Sequence, residues 1–219
     1  AIDNAPTVQA DAIGAGSAYF DNSNTDYITG DDTGFPATSS ARTVTFWMNA
    51  DSVTTYGNMF AYGTASSSNG FAITWDDSSA NIMVGKYGGN ADSASSTTIS
   101  LNTWHHIAVT HDGSSTITYY LNGVADGTAT LASLNTTLDA FLIGDHLSGW
   151  GGANSFDGNI CQVGIWDAAL TQAQIQSVME KTYEELIASE KEDLVSYWAL
   201  DETTLGSEMY DKTGGWSAS

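Results

Sequence analysis

The chain has 219 residues, 42% apolar and 11% aromatic, with 22 Gly and only two Pro, which excludes collagen-like and proline-rich disordered classes and suits one globular domain over 1–219. Five Lys and Arg stand against 26 Asp and Glu, for a formal charge of −21; such a surface repels phosphate and anionic lipid, so nucleic acid is excluded as a partner. No run approaches the roughly 18 apolar residues of a membrane span, so membrane insertion is excluded too. The opening AIDNAP lacks the basic and apolar regions of a secretion signal, and any such signal is expected to be absent or already removed. The acidity itself has a plain reading as solubility and a functional one as multivalent cation binding. The single cysteine, Cys161, cannot form an intrachain disulfide, so the core must hold the fold.

Apolar and polar positions alternate over most of residues 17 to 166. Val44, Phe46 and Met48 interleave with Thr43, Thr45 and Trp47, and the alternation returns at Phe71, Ile73 and Trp75. Period two marks half-buried strands. Between these runs stand TASSSNG at 64 to 70, DDSSAN at 76 to 81 and HDGSS at 111 to 115, whose residues favour turns. Strands and turns at this spacing predict a sandwich or barrel.

From Trp104 to Leu131 three antiparallel strands are expected. The first ends at His111 before an Asp112-Gly113 turn, the second runs from Ile117 to Leu121, and Asn122-Gly123 is the dipeptide of a type I′ hairpin, whose central residues need positive φ. Helical period occurs once. Thr171 and Gln174 form a capping-box pattern, and Ile175, Val178, Met179, Leu186 and Ile187 share a face, predicting a helix over 172–190 that packs on the sandwich.

With the strands placed, the chain resembles the laminin-G-like domains of the concanavalin A-like lectin and glucanase superfamily over residues 17 to 180. AYFDNSNTDYI is similar to that family's opening F-D-G-x-x-D-Y-V, and RTVTFWMNAD to its aromatic second strand. LNTWHHIAVTHDGSSTITYYLNGV resembles its W-H-H-x-A element, and FLIGDHLSGWGGANSFDGNICQVGIWDAALTQAQI its closing stretch. The resemblance implies an all-β, two-sheet antiparallel jelly-roll sandwich of the concanavalin-like kind with one peripheral C-terminal helix. It does not choose a function, because this fold serves lectins, adhesion modules, enzyme appendages and virion components. LVSYWALDETTLGSEMYDKTGGW, 194–216, resembles the family's N-terminal strand yet follows the helix. It is expected to complete the sheet, the alternative being the start of a following repeat, since its alternating rows would otherwise lie unburied.

Catalysis finds little support. The family's glucanases carry E-x-D-x-x-E on one strand, because glycoside hydrolysis needs two closely spaced carboxylates, and here every glutamate falls between Glu180 and Glu208. A lyase needs a base and a neutralising cation, and Arg42 is the sole arginine. His105 and His106 point to opposite faces of a strand and cannot ligate one metal from adjacent positions; the resemblance makes them structural. It also implies a structural Ca²⁺ bridging an early loop to an Asp of the closing strand. Cys161 occupies that position, a soft donor where Ca²⁺ prefers oxygen. Asp21, Asn24, Asp26 and Gln162 remain as candidate oxygen donors, against the alternative of an Asx-stabilised turn at 21 to 26.

Glycan binding asks for an exposed aromatic plate beside groups that hydrogen-bond hydroxyls. The glycine-rich loop GDHLSGWGGANS, 144–155, offers Asp145, His146, Trp150 and Asn154. A second rim offers Tyr87 and Asn90, with Tyr56 nearby. Trp150 has the alternative of plugging its own loop, and Trp47, Trp104, Trp166 and Trp198 alternate with polar neighbours as core residues do. The expectation is a non-catalytic extracellular, cell-surface or virion-associated module that binds glycan or polysaccharide through rim loops. The rival is a structural module of a tail fibre or surface layer that contacts protein subunits.

Overall fold

In a computed structural model the strand Arg42–Ala50 turns Val44, Phe46 and Met48 into the core and sets Thr43, Thr45 and Trp47 on the opposite face, the two-residue alternation of a pleated strand. The structure describes the chain apart from residues 1, 4–6, 10, 11, 77, 78, 150–153, 202–208, 215, 216 and 219, and at 2, 3, 7–9, 209, 210, 217 and 218 it describes the backbone alone.

The elements in chain order are β1 Ile2–Asp3, β2 Thr7–Gln9, β3 Ser17–Phe20, β4 Tyr27–Gly30, β5 Arg42–Ala50, β6 Gly57–Gly63, β7 Gly70–Trp75, β8 Ile82–Lys86 and β9 Gly89–Asn90. There follow β10 His105–His111, β11 Thr116–Leu121, β12 Val124–Thr130, β13 Phe141–Ile143, β14 Asn154–Ser155, β15 Gly158–Trp166, α1 Gln172–Val178, β16 Leu194–Trp198, β17 Met209–Tyr210 and β18 Ser217–Ala218. The front sheet runs β1-β4-β13-β6-β7-β8-β9 with β14 added parallel to β6. The back sheet runs β12-β11-β10-β5-β15-β3-β2 with β16 also on β15. All other pairs within the two sheets are antiparallel. This is the expected two-sheet antiparallel sandwich.

One continuous apolar core fills the space between the sheets, with Phe20, Phe46, Phe60, Phe71, Trp75, Phe141 and Trp198 among its largest side chains. Phe141 and Trp198 pack with ring centroids 4.7 Å apart, a separation at which aromatic pairs add to simple area burial. Arg42 is buried here as well. Its guanidinium donates to the Thr38 carbonyl at 2.9 Å, the Ser40 carbonyl at 3.0 Å, Thr136 Oγ1 at 2.8 Å and the Tyr62 hydroxyl, which supplies the partners a buried cation requires.

The hairpin between β11 and β12 turns at Asn122 and Gly123 with φ of 50° and 74°, the left-handed pair a type I′ turn demands. A side chain on Gly123 would also collide with Met179. β15 pairs with β3 through Gly158–Ile160 and with β16 through Val163–Trp166, so two strands share one edge end to end. Gln162 bulges between them at φ 52°, donating its N–H to Ala199 O at 3.0 Å.

The helix is shorter than periodicity predicts. It spans Gln172–Val178, and a separate 3-10 turn covers Tyr183–Glu185, in place of one helix over 172–190. The expected capping box at Thr171 and Gln174 is present. The stop has a tertiary cause: Trp47 Nε1 donates to the Met179 carbonyl at 2.9 Å, and this carbonyl would otherwise accept from residue 183 of a continuing helix. Leu186 still packs with Trp166, Ile175, Val178 and Tyr197 over the back sheet, whereas Ile187 is 58% exposed.

Candidate functional site

The front sheet's outer face carries a groove beside the loop that follows β13. On β6 and β7, Phe60, Tyr62, Phe71 and Ile73 point inward while Ala61 and Ala72 point outward. On β4, Ile28 enters the core, and Tyr27 and Thr29 face out. Leu147 folds back onto Ala61 and Ala72. Between Leu147 and β4 runs a groove of about 440 Å³, walled by Tyr27, Thr29, Asp139, Asp145, His146 and Ser148, with apolar floor from Ala65, Leu142 and Leu147.

The loop after β13 is closed at its base. Gly144 N donates to Met59 O at 2.9 Å, and Phe156 N donates to Gly144 O at 2.8 Å, so residues 145–155 leave and rejoin the sheet at one point. Gly144 has φ 87°, and a Cβ there would enter the Phe20 ring, so glycine meets both the torsion and the close approach. At the re-entry, Asn154 and Ser155 pair with Gly57 and Asn58 of β6.

Asp145 is the buried anchor of this loop, 8% exposed. Its Oδ1 accepts from the Ser155 hydroxyl at 3.0 Å and lies 2.6 Å from His146 Nδ1. A carboxylate holding one imidazole nitrogen orients the ring. Asp145 and His146 thus stand side by side on the groove wall. Tyr87 donates to the Gly149 carbonyl at 3.0 Å, so it braces the loop. Asn154 Nδ2 donates to Thr55 O at 2.6 Å, tying the loop to the Thr55–Tyr56 turn, where Tyr56 has φ 50°. Asn90 lies on the exposed edge strand β9, apart from the groove. Trp150 lies outside the described residues. Trp166 and Trp198 are buried, and Trp47 and Trp104 are half-buried.

Tyr27, Thr29, Asp139 and Leu147 escaped the sequence reading. The available signal was alternation in DYIT, which marks Tyr27 and Thr29 as partners on the face opposite Ile28. That this face is the open one depends on what packs against each sheet.

The candidate Ca²⁺ donors do not converge. Asp21 Oδ1 accepts from Ser23 N at 2.8 Å and Ser23 Oγ at 2.6 Å, its Oδ2 accepts from Asn24 Nδ2 at 3.1 Å, and Asp26 Oδ2 accepts from Asp21 N at 3.1 Å. This is an Asx-stabilised turn. Gln162 lies toward the other end of the β3–β15 ladder, where Nε2 donates to Ile13 O and Oε1 accepts from the Tyr197 hydroxyl. The closing-strand position holds the buried thiol of Cys161. Ca²⁺ needs six to eight oxygens in one shell, about 2.3–2.6 Å away, and this donor set does not fit it. Among the described residues no three His, Cys, Asp or Glu side chains stand together as a metal site.

Outside the loop, His106 and His111 are buried and His105 is half-buried. His106 packs edge-on against Trp47 with centroids 5.4 Å apart, and burial pushes its imidazole down to about 3. Burial also lowers His111, with nearby Arg42 adding to the effect, and His111 Nδ1 accepts from Gly113 N at 3.2 Å. These rings hold strands and turns together.

Two antiparallel sheets packed around one core, with a groove on the open face, are the architecture of a concanavalin A-like sandwich. The description of the Concanavalin A-like lectin/glucanases superfamily, in its laminin-G-like form, matches residues 22–176, and this chain belongs to that superfamily. In Rattus norvegicus the Sushi, von Willebrand factor type A, EGF and pentraxin domain-containing protein 1 is 27% identical over 158 residues, 68% of this chain and 4% of that protein. The chain therefore spans only a small part of that relative's length. Among solved structures, a Bacteroides ovatus protein provisionally described as carbohydrate binding superposes with a TM-score of 0.69 at 21% identity, over 97% of this chain and 57% of its own. Domain 4 of an extracellular GH43 arabinanase from Geobacillus stearothermophilus, solved with arabinotriose, superposes at 0.59 and 21% identity, over 78% and 80% of the two chains. Identities this low speak to the fold. No helix among the described residues is long and apolar enough to cross a membrane.

Proposed function

We propose that this chain is a non-catalytic carbohydrate-recognition domain that works outside the cell and takes its glycan in the groove between β4 and the 144–149 segment. The groove carries the reading. An apolar floor suits the C–H face of a sugar ring, and the walls add the Tyr27 ring, the Thr29 hydroxyl and the Asp139 and Asp145 carboxylates, the mixture that orients a polyhydroxylated ligand. A groove of about 440 Å³ falls within the range of small-molecule sites. The domain similar in fold from an extracellular arabinanase, solved with arabinotriose, supports the ligand class and the extracellular setting.

The non-catalytic reading rests on the acids present. No glutamate precedes Glu180, and the Asp145 carboxylate is already engaged by Ser155 and His146, as a positioning group is. Titrating the protein with a panel of oligosaccharides by NMR tests the proposal. Amide shifts are expected to gather at Tyr27, Thr29 and 139–149, and Tyr27→Ala should weaken binding roughly tenfold. Shifts elsewhere, or a Tyr27→Ala variant that binds as the parent does, would overturn the groove as the site.

A further inference from the structure

Taking the carbohydrate reading as its basis, we infer that the groove accepts neutral oligosaccharides and excludes anionic ones, those bearing uronate, sialate or sulfate. Recognition of a sugar acid calls for a cation within hydrogen-bond reach, most often an Arg fork or a Lys ammonium. The chain has five such residues in total, and every one can be placed. Arg42 is buried, with its donors on Thr38, Ser40, Thr136 and Tyr62. Lys86 donates to Ala132 O at 2.7 Å and Ser68 Oγ at 3.1 Å. Lys181 pairs with Glu190 and Ser177 beside α1, and Lys191 lies over the Tyr183 ring at 4.1 Å. Lys212 follows β17, where its N–H donates to Tyr197 O on the back sheet. None lines the groove.

The groove's own charges are negative. Asp139 and Asp145 are in its wall. His146 is already held through Nδ1 by the Asp145 carboxylate 2.6 Å away. The stretch 150–153 is Trp-Gly-Gly-Ala and carries no ionisable side chain. A sugar carboxylate in the groove would meet two carboxylates and no Lys or Arg, at separations where Coulomb repulsion in partly desolvated surroundings is strong. Hydroxyl groups instead donate to those carboxylates in charge-assisted bonds.

The test compares sugars of matched shape that differ in charge: lactose against sialyllactose, galacto- against galacturono-oligosaccharide, and xylo-oligosaccharide with and without glucuronate branches. Affinities are measured by calorimetry at pH 8 in 0.15 M and 0.5 M NaCl, with the parent protein and the Asp139→Lys variant, whose substituted side chain is exposed. For the best-binding pair the neutral sugar should bind on the order of tenfold or more tightly than its acid. That preference should persist at high salt, where the whole-molecule charge is screened. Asp139→Lys should narrow the gap by roughly two- to fivefold. An acidic sugar binding the parent as tightly as its neutral counterpart would overturn the inference and leave the carbohydrate reading standing. Binding by neither member of any pair at millimolar concentration would overturn both.

Discussion

The Tyr87 hydroxyl donates to the Gly149 carbonyl at 3.0 Å, joining the turn after β8 to the loop that walls the groove. The bond spans 62 residues of sequence and lies at the surface, so its effect is expected on the loop rather than on global stability. Tyr87→Phe should change unfolding free energy by less than about 1 kcal/mol. Hydrogen exchange at 147–149 should accelerate, and groove affinity should fall roughly two- to fivefold as ordering the loop becomes part of binding. Unchanged exchange in the variant would show that the bond does not brace the loop.

Gly144 is the hinge from which this loop leaves β13. An alanine there would combine a left-handed backbone with a methyl inside the Phe20 ring. The expected loss is about 2–4 kcal/mol by urea denaturation, with Phe20 displaced. A cost below about 1 kcal/mol would mean that the loop base relaxes freely.

Acid should destabilise the protein through its buried imidazoles. Burial holds His106 near 3 and lowers His105 and His111 as well, while an unfolded histidine titrates near 6.5. Between those values the unfolded chain binds a proton that the folded chain refuses. Stability from His106 is therefore complete above about pH 6.5 and declines as pH falls toward 3, by at most about 1.4 kcal/mol per pH unit. Asp32 works in the opposite sense, since burial raises its carboxyl, but it is one group against three. Thermal unfolding at pH 7, 6, 5 and 4.5 should show Tm falling, with a shallower decline in His106→Phe. Parallel curves for parent and variant would remove His106 from this account.

The capping box at α1 predicts a local cost. Gln174 N donates to Thr171 Oγ1 at 3.3 Å, and Thr171 N donates to Gln174 Oε1 at 2.9 Å. Thr171→Ala should cost about 1 kcal/mol. Because α1 covers the back sheet, affinity at the groove should be unchanged; a loss of affinity there would reveal coupling between the two outer faces.

The reach of sequence reading can be judged residue by residue. Val44, Phe46 and Met48 declared their shared face by alternation, Asn122-Gly123 declared its turn by the φ it needs, and Thr171 with Gln174 declared a helix start. All three are local properties, set by torsion preference and side-chain spacing over a few residues. The helix end was not local: Ile187 continues the apolar stripe, yet the Trp47 indole from another strand takes the Met179 carbonyl. Asp145 and His146 could be paired from sequence because they are adjacent. Tyr27 and Thr29 reach the same groove from β4, far away in sequence.

By itself, then, the sequence determined the sandwich, the central hairpin, the scarcity of cations and the lack of glutamate before residue 180, because these follow from composition and short-range geometry. Tertiary structure alone decided which sheet face stays open, that α1 and Leu186 cover the back sheet while on the front Leu147 covers Ala61 and Ala72 and a groove remains beside it, and that Gln162 lies apart from Asp21. Those outcomes depend on strand order and on what packs over each face, and neither is encoded in the spacing of neighbouring residues.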